Sequence, residues 1–156
     1  MKILQFIHLK YFYFTVRYKS IFYRMLINKR SGKFFVYGLI KVYGPENLIV
    51  GDRTTLNHGC VLNARDALII GSDVHISPGV LINTGGLNYA EKRQKRNHTK
   101  CSVSIADGVW VGSGAIINPG VSIGENSVIG AGSVVTKDIP SNVVAVGIPA
   151  AVIKEI

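Results

Sequence analysis

The side chains in this 156-residue chain best suited to moving a proton near neutrality are four histidines, His8, His58, His75 and His98. No close spacing joins them: His58, His75 and His98 stand 17 and 23 residues apart. Cys60 and Cys101 are equally isolated, without metal-ligand or redox spacing, and read as free thiols in a reducing compartment. If these residues form a site, an architecture must gather them.

That architecture is written between Ile105 and Pro140. Six consecutive hexads begin with an aliphatic residue, Ile105, Val111, Ile117, Ile123, Ile129 and Val135. Each carries a small or branched fifth residue, from Val109 to Ile139, and Gly follows the aliphatic at Gly112, Gly124 and Gly130. A period of six fits neither an amphipathic strand nor a helix. It predicts an all-β fold, a left-handed parallel β-helix in which three short faces close one triangular coil. The same phase runs upstream through Val50, Leu56, Leu62 and Leu68, then restarts two residues later at Ile70, Ile76 and Ile82. This shift predicts a slightly longer corner recurring at one edge, with coils of about 20 residues rather than 18. Residues 83–102 break the pattern and read as a loop extruded from the prism. Counting within hexads puts both His75 and Trp110 sixth, so His75 is expected to stack above Trp110.

Composition divides the chain into a basic aromatic arm, residues 1–40, and the prism, residues 41–156. The net charge is +9; nine Lys or Arg and no acid fall within residues 1–41, and twelve of fourteen aromatics precede residue 44. The arm is not a signal peptide, because Lys10 cuts its apolar run and no small-residue cleavage site follows. Lys10, Arg17, Lys19 and Arg24 also interrupt any span of membrane length. Two readings stay open: a segment lying on an anionic membrane surface, or a helical arm packed on the prism or a sister subunit. The expected location is cytoplasmic, with peripheral contact at the inner membrane face on the first reading. Deleting residues 1–30 is expected to leave the prism folded. No nucleic-acid partner is expected, since no recognisable binding fold accompanies the charge.

The stretch Val109-Trp-Val-Gly-Ser-Gly-Ala-Ile-Ile-Asn-Pro-Gly-Val-Ser-Ile-Gly-Glu-Asn-Ser-Val-Ile-Gly-Ala-Gly-Ser-Val-Val-Thr-Lys-Asp-Ile-Pro140, followed by Gly147-Ile-Pro-Ala150, closely resembles the hexapeptide-repeat acetyltransferases. The likeness is nearest to the galactoside and maltose O-acetyltransferases and related polysaccharide O-acetyltransferases. It covers roughly residues 40–156 and implies a homotrimer with acetyl-CoA as co-substrate, bound in clefts between neighbouring prisms, and no metal. A short C-terminal helix is expected after the last coil. Carried over residue by residue, the resemblance implies that Trp110 lines the cleft and that the Ser113 and Ala131 amides meet the thioester and pantetheine arm. Thr136 and Lys137 would lie near the CoA phosphates, and Asn57 is similar to an acceptor-side Asn.

The acceptor side departs from the pattern. A Thr-Gly-His or Gly-Gly-His-Asp run is expected after Ile82, but here Gly86 or Leu87 takes the place of His. Similarity to an Arg-x-His stretch before the returning strand makes His98, in Arg96-Asn-His98, the expected base, with His75 the alternative and an acceptor-lining residue otherwise. His58 should face outward in a structural or acceptor-lining role, and His8 belongs to the arm. The loop's basic run from Lys92 to Lys100 reads as a solvated surface or as a site for a phosphate-bearing acceptor.

The expected activity is acetyl transfer from acetyl-CoA to a sugar hydroxyl of a surface polysaccharide or its precursor. Alternatives are an N-acetyltransferase of an amino-sugar nucleotide, for which a missing His matters less, and an inactive scaffold. A zinc-dependent carbonic anhydrase on the same prism would need two histidines about five residues apart, which the spacing opposes.

Overall fold

A computed structural model describes residues 2–88, 90, 92 and 97–156. The predicted prism is present as a parallel β-helix. Its first face stacks β1 (Phe35–Tyr37), β4 (Thr55–Asn57), β7 (His75–Ile76), β12 (Trp110–Val111), β15 (Val128–Ile129) and β17 (Val143–Gly147). The second stacks β2 (Lys41–Tyr43), β5 (Val61–Asn63), β8 (Leu81–Asn83), β13 (Ile116–Ile117) and β16 (Val134–Val135). The third stacks β3 (Leu48–Val50), β6 (Leu68–Ile70), β11 (Val103–Ile105) and β14 (Ser122–Ile123), continued by a bridge from Ile123 to Ile139.

Every hexad-leading aliphatic from Val50 to Val135 is buried, and so are the fifth-position residues Val109, Ala115, Val121, Ser127, Ser133 and Ile139. The core is thus a column of aliphatic layers, closed by removing apolar surface from water coil after coil. Coil length follows the expected shift. Val61 pairs with Leu81, a step of 20, whereas Ile116 pairs with Val134, a step of 18. The extra residues lie at the edge between second and third faces, where Ala64 to Ala67 occupy the place that Pro119 and Gly120 fill later.

The loop leaves the prism at this same edge. Thr84, fully buried, donates from Oγ1 to the Asn63 carbonyl at 3.0 Å and accepts from the Asp66 amide at 2.8 Å. Beyond it, β9 (Gly85–Leu87) and β10 (His98–Lys100) form an antiparallel ribbon that the hexad pattern did not announce.

Both ends of the prism are capped. The arm is the helix α1 (Lys2–Leu26), whose Val16 and Ser20 are buried, as is Ile27 just after it, above Phe34 of the first coil. Ser20 Oγ accepts from the Val36 amide at 2.9 Å, and Tyr23 donates to the Ile40 carbonyl at 2.9 Å. Removing residues 1–30 would therefore uncover the Phe34 end of the core. At the other end the expected short helix is absent. Ala150 to Glu155 form β18, antiparallel to β17 after a turn at Gly147 (φ 104°). Ala-Ala-Val-Ile-Lys-Glu covers an open strand edge that a helix would have left unpaired.

Gly112 shows how close the coils come. A Cβ there would lie 2.6 Å from the Ala131 nitrogen and 2.7 Å from the Ile129 carbonyl oxygen, both rigid backbone. Gly112→Ala is expected to cost about 1–3 kcal/mol through this overpacking, read as a lower denaturation midpoint at unchanged m.

Candidate active site on the prism edges

The edge between first and second faces is a column of matching corners. Gly59, Gly79, Gly114 and Gly132 all have φ between 67° and 78°. Their amides donate in turn to the carbonyls of Leu39, His58, Pro78 and Ser113 at 2.8 to 3.0 Å. This ladder stacks Ser113 directly on Ala131, both exposed, and among the described residues no backbone carbonyl accepts from either of their amides. Two amides on adjacent coils, both in exposed residues, are thus left without a backbone acceptor among the described residues, an arrangement suited to holding a carbonyl or an oxyanion.

Trp110 begins β12 on the first face, paired in register with His75 one coil earlier, as hexad counting predicts. The indole, half exposed, donates from Nε1 to Ser77 Oγ at 3.0 Å, which turns the ring toward the Ser77 corner. His75 has Nδ1 2.9 Å from Thr55 Oγ1. If the ring donates there, Nε2 keeps its lone pair. Asp73 is held elsewhere: Arg53 binds it through two contacts and keeps its carboxyl below the usual range. Asn57 ends β4 with Nδ2 donating to the Ile76 carbonyl at 2.8 Å. His58 follows at the corner, its Nδ1 accepting from the Leu39 amide at 3.3 Å. Cys60 is buried beside it, its thiol pushed up by burial.

His98 lies on a different edge. In the ribbon it sits opposite Leu87, next to Gly86, across from the position where the sequence leaves a histidine missing. A pocket of about 380 Å³ opens there, lined by Asn63, Arg65, Gly85, Gly86, Leu87 and His98. Arg65 Nη1 is 3.5 Å from His98 Nδ1, and a guanidinium can only donate, so the Nδ1 lone pair faces a donor. Asn63 Nδ2 donates to Asn83 Oδ1 at 3.3 Å, while its own Oδ1 is buried without a partner among the described residues. Arg65 and Asn63 escape a sequence reading because only the 20-residue register places them under Gly85 and Asn83. Thr136 and Lys137, exposed, follow β16 at this same second edge, two coils beyond the ribbon. Of the loop's basic run, residues 93–96 lie outside the described residues.

One chain therefore brings Trp110 to His75 and Ser113 to Ala131, but not His98 to either pair. The second face, with its two- or three-residue strands, separates them.

Residues 102–137 match the family described as bacterial transferase hexapeptide (six repeats). Galactoside O-acetyltransferase of Escherichia coli K12 is 44% identical over 115 residues, 73% of this chain and 56% of the relative, so the chain spans about half that protein's length. The E. coli protein named as colanic acid biosynthesis acetyltransferase WcaF is 30% identical over 139 residues, 89% of this chain and 75% of the relative. Among solved structures, a maltose O-acetyltransferase from Clostridium difficile 630 superposes with a TM-score of 0.80 at 41% identity, covering 86% of this chain and 72% of the other. A galactoside acetyltransferase in complex with coenzyme A gives 0.70 at 38% identity, covering 74% and 58%.

Proposed function

This chain belongs to the hexapeptide-repeat acetyltransferases, and from that membership we propose that it is an acetyl-CoA-dependent O-acetyltransferase acting on a sugar hydroxyl of a surface polysaccharide or its precursor. The observation that carries the reading is the seat of His98. Its imidazole occupies a pocket widened by the side-chain-free Gly85 and Gly86, across the ribbon from the vacant histidine position. A base displaced from one strand of the ribbon to the other still serves the same pocket.

Acetyl-CoA would supply an activated acetyl group. An acceptor hydroxyl entering between Arg65 and His98 would give its proton to Nδ1, replacing a 3.5 Å contact with a shorter one. As the oxygen bonds to the acetyl carbon, the exposed Ser113 amide would hold the negative charge growing on the carbonyl oxygen, and Ala131 would hold the arm behind it. When the carbon–sulfur bond breaks, the imidazolium would return its proton to the departing sulfur. Lys137 would pair with a phosphate of the carrier, Thr136 would flank it, and the Trp110 ring would wall the cleft. Asn57 and His75 would face the acceptor.

His98 and Ser113 stand on different edges, so one chain does not complete this site. The second edge of one subunit must meet the first edge of another. Such a head-to-tail contact closes into a ring, and three-sided prisms suit a homotrimer. The test is release of CoA from acetyl-CoA with a panel of free sugars, oligosaccharides and nucleotide sugars. Transfer to a hydroxyl, located by mass spectrometry, supports the reading; transfer to an amine alone moves it to the N-acetyltransferases. Sedimentation checks the assembly, since a monomer that binds acetyl-CoA tightly would contradict the shared site.

A further inference from the structure

α1 has two apolar faces, and the prism uses one. Val16, Ser20 and Tyr23 point into the capped end. On the opposite side Ile7, Tyr11, Phe14, Tyr18, Ile21 and Met25 recur at alternating intervals of four and three, a continuous stripe about 27 Å long at helical rise. These side chains are well exposed: Phe14 68%, Tyr18 69% and Met25 83%. Lys10, Arg17 and Arg24, seven apart, run along one border of the stripe, and Lys19 stands on the other. The helix contains no acid.

The same spacing would fit the seam of a coiled coil with a second copy. Charge argues against it. Such a seam is flanked by residues that pair opposite signs, and two copies of α1 would bring only cations together. No helix among the described residues is long and apolar enough to cross a membrane. An exposed aromatic stripe bordered by cations, on a helix without an acid, matches the boundary between acyl chains and acidic headgroups, where Tyr and Phe bury their rings and Lys and Arg reach phosphate. Against neutral lipid the stripe alone would have to suffice.

We propose that the outward face of α1 seats the protein in the plane of an anionic phospholipid membrane, with the prism standing on its N-terminal end. Arg17 and Arg24 reinforce the assignment. Together with Tyr13, Phe35 and Tyr37 they line a mostly apolar groove of about 430 Å³ between α1 and β1, open beside the stripe. The attachment is independent of acetyl transfer.

The full chain is sedimented with vesicles of phosphatidylglycerol and phosphatidylcholine, or of phosphatidylcholine alone. Binding is expected to the acidic vesicles at low salt and to be lost near 1 M salt, where screening falls to about 3 Å. Phe14→Ser with Tyr18→Ser and Met25→Ser, all exposed on the stripe, should weaken binding more than tenfold with an unchanged melting midpoint. Arg17→Gln with Lys19→Gln should weaken it by about fivefold per charge removed. No binding at low salt, or equal binding to neutral vesicles, overturns the proposal, and these arms need only the native chain. A triple variant that sediments as a smaller assembly, with vesicle binding unchanged, also overturns it and gives the stripe to a second copy.

Discussion

His98→Ala is expected to lower acetyl transfer by about 10²–10⁴-fold, the usual effect of losing a general base, while acetyl-CoA affinity stays nearly intact. The two effects separate because the proposed carrier contacts, Trp110, Ser113, Ala131 and Lys137, are on later coils and make no contact with the His98 pocket in one chain. Gly85 and Gly86 contribute no side chain to take over the proton. His75→Ala should mainly raise the acceptor KM, because that residue lies on the first face, hydrogen bonded to Thr55 and paired in register with Trp110 on the next coil. The opposite pattern, an active His98→Ala and an inactive His75→Ala, would assign the base to the Trp110 stack. Full activity in both variants would leave an amine acceptor or a different base as the surviving explanation. Steady-state kinetics with acetyl-CoA binding by calorimetry distinguishes these outcomes.

Mixing two defective variants is expected to restore activity. His98→Ala removes the second-edge contribution, and Trp110→Ala removes much of the first-edge contribution. In a randomly mixed ring, roughly a quarter of the interfaces join an intact second edge to an intact first edge. Co-expressed variants should therefore recover about that fraction of native turnover, far above either parent. Recovery requires the base and the first-edge carrier contacts to come from different subunits. If the mixture is no more active than its parents, the two half-sites belong to one chain and the edge assignment is wrong. Native mass spectrometry of the mixture verifies that hybrids form.

Much of this protein is legible from its residues because a hexad is a local rule repeated in an unchanging environment. Each coil sees a coil above and below, so the aliphatic that is buried in one is buried in all, from Val50 to Val135. The same regularity made the His75–Trp110 stack readable across a long insertion, since the insertion returns to the register it left. Resemblance then attached roles to Trp110, Ser113, Ala131, Thr136 and Lys137.

The sequence alone determined the period, the inward residues and the place where the loop breaks out. The tertiary structure decided which edge each candidate residue occupies, and so which residues can meet. His98 is beside Gly86 only because the ribbon folds back, and Arg65 joins it only through a 20-residue coil. The ends escaped the periodic rule because no further coil covers them: Ala150–Glu155 pairs with an open strand edge instead of coiling into a helix, and α1 packs on the first coil with one face. Propensity and period are properties of neighbours along the chain, whereas a cap or a shared pocket depends on which surface remains uncovered once the coils have stacked.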